Sequence, residues 1–281
     1  MEPAAKIIAD SVNEFGDRLT TMEVRFHRFV LAEINTHRAF SRNSASSRAI
    51  PVEKQIQRVL ESPAIPVSFP AEQRGMQGGQ ELEVSFRESA KACWLIARDE
   101  AVRNAKTLAA LGVHKSVVNR LLEPFMWHTA IITSTQWGNF FSQRATRYSE
   151  LAQPELRACA DLMLEQYEAS TPVQLAAYQW HMPYVEARDL RDCEACGEDP
   201  KKVSAARCAR VSYLTHDGNI DVQQDVELYY KLISARPMHA SPLEHVARPE
   251  LLKTSRPKNN FVGWAQLRQL VEGDAGIDSR R

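Results

Sequence analysis

The 281-residue chain is 44% hydrophobic and 25% charged, and its 35 basic residues balance 35 acidic ones. This composition is typical of a globular protein with a buried core, and zero net charge argues against coating of nucleic acid through charge. No apolar run approaches the roughly 20 residues that span a bilayer, the N-terminal residues do not resemble a signal peptide, and five irregularly spaced cysteines do not suggest a disulfide framework. We therefore expect a cytoplasmic protein that has no membrane partner and no nucleic-acid partner.

Hydrophobic periodicity in the first half of the chain predicts mainly helices. Proline and glycine mark where these segments begin and end. In chain order the patterns predict a strand over 22–26, a short helix over 31–35, a helix from Pro51, a loop over 61–80, a long helix over 90–108 that ends near Gly112, and further helical stretches over 116–148 broken near Gly138.

The second half shows the same mixture of helical and polar segments. In chain order it predicts a helix from Pro154, a surface loop over 185–203, a strand over 209–214, a helix over 222–235, a turn at Ser241-Pro242, and a tail over 248–281 that packs on the rest. No repeat or clear linker divides the chain. We therefore predict an α+β fold of one domain over 1–281, rich in helices and with a small antiparallel sheet.

The densest functional signal is the stretch from Thr36 to Arg48, hereafter the Arg/Ser box. Its 13 residues include one histidine, one asparagine, three arginines and four serines. Arginine forks and serine hydroxyls bind phosphate through charge-assisted hydrogen bonds. Composition alone favours an anion site and a solvated surface loop equally.

The Arg/Ser box resembles the signature of flavin-dependent thymidylate synthases. The matching positions, at unbroken spacing, are His37, Arg38, Ser41, Asn43, Ser46 and Arg48. The resemblance implies that His37, Ser41 and Asn43 contact the flavin. It also implies that Arg38, Ser46 and Arg48 hold the nucleotide phosphate. Thr36 and Ser44 depart from the family pattern, which has Arg and Glu there.

Two further blocks are similar to elements of the same family. Residues 120–124 resemble its Arg-x-x-Leu-Pro element, which implies that Arg120 binds phosphate; without the resemblance, Arg120 would be a surface ion pair at a helix end. Residues 139–155 resemble its Asn-Phe-x-x-x-Arg and Ala-Gln-x-Glu elements. The resemblance places Asn139 at the flavin, Gln153 at the substrate, and Arg144 at the pyrimidine ring. An arginine there stabilises negative charge on the activated ring.

The C-terminal third adds two flavin elements by the same resemblance. Residues 209–213 resemble Ala-Arg-Val-Ser-Tyr and imply a flavin contact by Ser212, and residues 241–245 resemble Ser-Pro-Phe-Glu-His and imply one by His245. In most members these elements precede the box, whereas here they follow it, which implies a circularly permuted order. Residues 260–268 either supply a Gln and an Arg that the box lacks or form an amphipathic packing helix.

The resemblance implies the reaction and its cofactors. These are transfer of a one-carbon unit from methylenetetrahydrofolate to C5 of a deoxypyrimidine monophosphate, most simply dUMP to dTMP, with FAD, NADPH as reductant, and a homotetramer. One alternative is a flavin-dependent dUMP or dCMP hydroxymethylase or methyltransferase that makes a modified nucleotide for DNA. Another is a non-catalytic flavin- or nucleotide-binding module. The isolated Cys193-x-x-Cys196 pair lacks two further ligands at good spacing, so we predict no metal site.

Overall fold

A five-stranded mixed sheet organises the computed structural model, which describes residues 2–211, 221–253 and 259–274. The sheet has the strand order β3-β4-β2-β1-β5. Its strands are β1 (Ala4–Val12), β2 (Arg18–His27), β3 (Ser41–Ser44), β4 (Trp127–Ser134) and β5 (Val173–Gln174). Neighbours are antiparallel except β1 and β5, which are parallel. The sheet is therefore mixed rather than purely antiparallel, while the α+β class is confirmed.

Helices supply most of the regular structure in the described ranges. They are α1 (Leu31–Asn35), α2 (Val52–Glu61), α3 (Val84–Ala110), α4 (Lys115–Val118), α5 (Gly138–Arg144), α6 (Pro154–Ala169), α7 (Ala187–Cys196), α8 (Pro200–Arg210), α9 (Val222–Ser234) and α10 (Leu267–Asp274). A second, two-stranded sheet pairs β6 (Ala247–Pro249) with β7 (Trp264–Gln266). No helix that the structure describes is both long and apolar enough to cross a membrane.

One face of the large sheet packs against α5 and α6. The alternation of Met22, Val24 and Phe26 along β2 directs all three side chains to this face, where they are fully buried. Pro154 occupies the first turn of α6, and the predicted apolar stripe of that helix, which includes Leu156, joins the same core. The strand and the helix predicted here are both confirmed.

The opposite face of the sheet is covered by the C-terminal third of the chain. Trp264 packs on Leu19 of β2, and Cys208 of α8 packs on Ile131 of β4. The Tyr184 hydroxyl donates to the Glu23 carboxylate over 2.6 Å. The two layers therefore enclose the sheet, and the described part of the tail that reaches it is buried within the fold.

The long helix α3 is only partly packed. Its C-terminal half joins a second core with α2 and residues 119–125, and Gly112 follows it with a φ of +80°, the left-handed conformation that ends helices. Its N-terminal half leaves Val84, Phe86 and Ile96 exposed in the single chain.

Three predicted elements differ from the structure. Residues 127–134 form the strand β4 inside the region that we predicted to be helical, because their β-branched residues pair with β2 on one side and β3 on the other. The predicted loop over 185–203 is instead α7 and the start of α8. Both helices have strong local signals: a capping box between Glu186 and Asp189, and an Asp199 cap before Pro200.

The third difference is the strand predicted over 209–214. Residues 209 and 210 end α8, and residues 212–214 lie outside the described residues. The helix continues because Arg207 and Arg210 both pair with Asp225 of α9, which fixes this turn of α8 against its neighbour.

Candidate active site

The Arg/Ser box runs along one edge of the sheet. It begins at the end of α1, forms the edge strand β3, and continues into the loop before α2. Because β3 pairs with β4 on one side and has no strand on the other, the box presents its polar groups at the border of the fold. The polar residues of the box make three sets of contacts: His37 with Arg144, β3 with the C-terminal third, and Ser47 with Glu123.

The first group joins His37 to Arg144. The Arg144 Nε atom donates to His37 Nε2 over 3.4 Å, and both side chains are half-buried. Phe140 lies edge-on to the imidazole, with ring centroids 4.9 Å apart. Burial, together with the charges of Arg144 and Arg42, lowers the pKa of His37. His37 is therefore neutral at pH 7, and since Nε2 accepts, its proton is on Nδ1.

The second group fastens β3 to the C-terminal tail. Ser41 is 1% exposed, and its hydroxyl accepts from Asn260 Nδ2 and from Gln266 Nε2, each over 3.1 Å. Arg268 instead pairs with Glu244. The 260–268 segment thus brings a glutamine to the box while also burying its apolar residues in the fold.

Asn43 is likewise engaged within the chain. Its amide nitrogen donates to the Cys208 carbonyl over 2.6 Å, and its oxygen accepts from the Ser241 hydroxyl over 3.3 Å. Asn43 thereby connects β3 to α8 and to the turn over 241–244. Ser212, the other flavin residue predicted near α8, lies outside the described residues, so its contact stays a prediction.

His245 lies at one end of a buried chain of hydrogen bonds, hereafter the histidine chain. His245 Nδ1 is 2.7 Å from the Thr133 hydroxyl, which is 2.7 Å from the Thr21 hydroxyl of the neighbouring strand. Thr21 is 2.8 Å from His181 Nε2, and His181 Nδ1 is 2.9 Å from the Ser11 hydroxyl. Burial lowers the pKa of each histidine to about 3, so both are neutral.

The histidine chain has one polarity that uses all of its hydroxyl hydrogens. In it Ser11 donates to His181 Nδ1, and His181 Nε2–H donates to Thr21. Thr21 then donates to Thr133, and Thr133 donates to His245 Nδ1. The reverse polarity leaves the Ser11 hydroxyl hydrogen without an acceptor among the described residues. His245 therefore carries its proton on Nε2, a fully buried atom that has no hydrogen-bond partner among the described residues.

The third group surrounds the carboxylate of Glu123. Glu123 Oε1 accepts from Arg120 over 2.7 Å, from Arg28 over 3.1 Å and from the Ser47 hydroxyl over 3.3 Å. Arg120 is exposed, so its pair with Glu123 contributes little stability. The pair is the surface ion pair expected for Arg120 without the resemblance, and it leaves the guanidinium able to exchange Glu123 for a phosphate.

Of the other predicted phosphate residues, Ser46 and Arg48 flank Ser47 of this group, whereas Arg38 follows His37 before β3. The Ser46 hydroxyl accepts from the Arg48 backbone N–H over 3.3 Å, and the side chains of Arg48 and Arg38 are exposed. Asn139, on α5, and Gln153, which caps α6, are also exposed and make no contact with the other predicted residues in the single chain.

Several polar residues of this region were not singled out from the sequence. These are Arg28, Arg42, Glu123, His128 and His181. Arg28, Glu123, His128 and His181 contact partners distant in sequence, so no local spacing identifies them, whereas Arg42 donates to the nearby Ile34 and His37 carbonyls. The described residues contain no group of three or more His, Cys, Asp or Glu side chains arranged to bind a metal ion.

Comparison with known proteins identifies a family over the first part of the chain. Residues 15–173 match the family model Thy1, described as thymidylate synthase complementing protein. This range contains the Arg/Ser box and the 120–155 blocks, whereas the elements at 209–213 and 241–245 lie beyond it. No curated protein sequence matches the chain.

The fold is similar to that of two solved structures of the UMP/dUMP methylase PolB from Streptomyces cacaoi. The complex with 5-Br UMP has a TM-score of 0.49 at 14% identity and covers 59% of this chain and 88% of that one. The complex with 5-Br dUMP has a TM-score of 0.47 at 14% identity and covers 59% and 90%.

Proposed function

Because the chain belongs to the thymidylate synthase complementing protein family, whose model matches more than half of it, we propose that it converts dUMP to dTMP. As a member of this family it is a thymidylate synthase-like methyltransferase. In the proposed reaction a one-carbon unit passes from methylenetetrahydrofolate to C5 of the pyrimidine, with FAD as cofactor and NADPH as reductant.

The observation that supports this reaction best is the environment of Arg144. Its Nε donates to neutral His37, and no described carboxylate pairs with its guanidinium. The terminal nitrogens are therefore available to a ring oxygen. A fixed cation beside uracil O4 stabilises the negative charge that develops when C5 is activated. The aromatic ring of Phe140, packed against His37, excludes water from one side of this group.

The residues present fit a flavin in part. FAD, when bound, supplies the electrons that reduce the transferred carbon. His37 Nδ1–H and the exposed amide of Asn139 offer free polar groups to it, and His245 keeps one unpartnered donor, Nε2–H. Ser41 and Asn43 use their polar groups within the chain. In this proposal these two residues position β3, and through it His37, rather than contact the cofactor.

The nucleotide phosphate would be bound at the other end of the box, where Arg48 and Arg120 present exposed guanidinium groups and Ser46 presents a hydroxyl. Arg38, also exposed, would reach the phosphate from beside His37. Two or three such forks suffice to bind a phosphomonoester. We assign Gln153 to the substrate as well.

We also propose a homotetramer whose sites are shared between subunits. Many predicted site residues are exposed in the single chain; they are Arg38, Arg48, Arg120, Asn139 and Gln153. The N-terminal half of α3 exposes Val84, Phe86 and Ile96 as well. Further copies of the chain would cover this apolar surface and complete the site.

The decisive experiment is anaerobic incubation of the purified protein with FAD, NADPH, methylenetetrahydrofolate and either dUMP or dCMP, followed by mass spectrometry. We expect dTMP from dUMP. A hydroxymethylated product, or turnover of dCMP alone, would instead establish the nucleotide-modifying alternative. Nucleotide and flavin binding with no product from either base would leave only the non-catalytic module.

Arg144→Gln should lower kcat by roughly 10²–10³-fold, the usual cost of removing one group that stabilises developing charge. Arg147→Gln is the matched control, because Arg147 lies three residues further on, is exposed and pairs with Glu168 at the surface. We expect Arg147→Gln to retain activity. Both variants should keep the visible flavin spectrum, and unchanged turnover in Arg144→Gln would contradict the assignment.

A further inference from the structure

A cavity of about 260 Å³ lies beneath the loop that follows β3. It is enclosed by α2, by the ends of β2 and β4, and by the inner side of residues 45–50. Ala45, Ser47 and Ile50 line it, whereas Ser46 and Arg48 of the same loop do not. The cavity is therefore separate from the exposed groups that we assign to the nucleotide phosphate.

Three residues of the lining carry buried polar atoms without a partner. Gln55 Oε1, Trp127 Nε1 and His128 Nε2 have no hydrogen bond among the described residues. The side chains of Gln55 and His128 belong to residues that are only 3% exposed. Buried polar groups are nearly always paired in folded proteins, and these three atoms lie just behind the cavity surface, where they have almost no accessible area.

The protonation of His128 follows from its other nitrogen. Arg28 donates to His128 Nδ1 over 3.1 Å, and an arginine cannot accept. Burial and the charge of Arg28 lower the pKa of His128 to about 3, so its one proton is on Nε2. Nε2 of His128 and Nε1 of Trp127 are thus both donors, so the polar atoms behind this part of the lining are hydrogen-bond donors.

Two cations line the same cavity without a carboxylate partner. The guanidinium of Arg58, on α2, makes no hydrogen bond or ion pair with any described residue, and that of Arg25, on β2, donates among the described residues only to the Glu2 carbonyl. The carboxylate in the lining, Glu23, accepts from the Tyr184 hydroxyl. Half-buried guanidinium groups are costly to leave unpaired. They favour an occupant that is negatively charged.

The apolar part of the lining favours a flat ring. Trp127 and Phe125 contribute aromatic surface, and Ile50, Val59 and Met126 contribute aliphatic surface. The volume is near the lower end of the range for small-molecule sites, so it suits a molecule of one ring.

We propose that this cavity binds a small planar-ring anion that is rich in hydrogen-bond acceptors, namely an aromatic or heteroaromatic carboxylate or phosphomonoester. Arg58 and Arg25 bind its charge, and the rings of Trp127 and Phe125 pack against its ring. The site does not depend on the proposed reaction, because none of its lining residues is assigned to that reaction. Ser47 in the lining nevertheless donates to Glu123, which also accepts from Arg120, one of the residues proposed to bind the nucleotide phosphate.

The test is direct binding of phenyl phosphate and of benzoate, measured by calorimetry on the full chain, with benzylamine as the cationic control. We expect at least one anion to bind and benzylamine not to bind. The stronger of the two identifies the acidic group that the cavity prefers. Arg58→Met should weaken anion binding by at least about tenfold, because it removes a charge-assisted hydrogen bond. Lys54→Met is the matched control, since Lys54 is exposed on the same helix and does not line the cavity.

Hydrogen exchange on the wild-type protein keeps the test independent of the folding of Arg58→Met. Phenyl phosphate or benzoate should slow amide exchange in residues 52–62 and 125–129. The proposal is overturned if neither anion binds at millimolar concentration, or if Arg58→Met and Lys54→Met bind equally. Loss of binding in Arg48→Gln, without change in Arg58→Met, would place the probe at the exposed phosphate residues and also overturn it.

Discussion

At the scale of single residues, the threonine pair in the centre of the sheet determines the state of His245. Thr21 and Thr133 are directly opposite one another on β2 and β4, which allows their hydroxyls to bond. The Thr133 hydroxyl also bonds to His245. This hydrogen-bond network keeps the His245 imidazole in one tautomer.

Removing the Thr133 hydroxyl should destabilise the fold. Thr133→Val leaves both Thr21 and His245 Nδ1 without their partner, at about 1–3 kcal/mol for each buried polar group. We expect a loss of roughly 2–4 kcal/mol in the free energy of unfolding, measured by urea denaturation. Thr133→Ser retains the hydroxyl and should cost only about 1 kcal/mol for the lost methyl. Equal stability of the two variants would show that the histidine chain does not form.

At the scale of secondary-structure elements, Arg207 joins three helices of the C-terminal third. From α8 it makes two bonds of 2.7 Å to Asp189 of α7 and one of 2.8 Å to Asp225 of α9. Arg207 hydrogen-bonded to Asp189 lowers the pKa of that carboxyl. Since Arg207 is 2% exposed, this network holds the helices that cover one face of the sheet.

Arg207→Met should therefore loosen this layer. It leaves Asp189 without its arginine and Asp225 with Arg210 as its remaining partner, and breaking a buried ion pair in this way costs about 3–5 kcal/mol of folding stability. Adding Asp189→Asn and Asp225→Asn to Arg207→Met should recover part of the lost stability, because unpaired negative charge causes much of that loss. Arg191→Met, at an exposed position of α7, is the control and should change stability by no more than about 0.5 kcal/mol. Chemical denaturation measures all three, and a loss in Arg207→Met no larger than in Arg191→Met would rule out the structural role.

At the scale of the whole molecule, three buried histidines make folding sensitive to acid. Burial lowers the pKa of His128, His181 and His245 to about 3 in the folded chain, against about 6.5 when unfolded. Between these values the unfolded chain binds protons that the folded chain does not. The stabilisation is complete above pH 6.5 and is lost as the pH falls towards 3.

We expect the free energy of unfolding to fall by about 2 kcal/mol per buried histidine between pH 6.5 and pH 5, at 1.36 kcal/mol per pH unit. Urea denaturation over this range measures the slope. His128→Asn should reduce it, since the amide oxygen still accepts from Arg28 but does not titrate. His114→Asn, at an exposed histidine, should leave the slope unchanged. Stability that is independent of pH over this range would contradict the three lowered pKa values.

Elements with strong hydrophobic periodicity or capping residues could be predicted from the sequence. The alternation of Met22, Val24 and Phe26, the proline at the start of α6 and the apolar repeat of α3 each encode an element through contacts within a few residues. The fixed spacing of residues in the Arg/Ser box likewise indicates the family. Strand β4 is not predicted because its form depends on pairing with β2 and β3. Helix α7 is not predicted although its capping box is a local signal.

Which polar residues of the site keep unused hydrogen-bonding groups could be seen only in the tertiary structure. Ser41 is bonded to Gln266, and His245 to Thr133, over separations of 225 and 112 residues. No local pattern encodes such contacts, because they arise when the C-terminal third packs on the sheet. Arg144 pairs with no described carboxylate, and the cavity beside Arg58 forms where α2 packs on the ends of β2 and β4, again through long-range contacts. Residue types thus specified the chemistry available to this protein, while burial and long-range contact decided where that chemistry is presented.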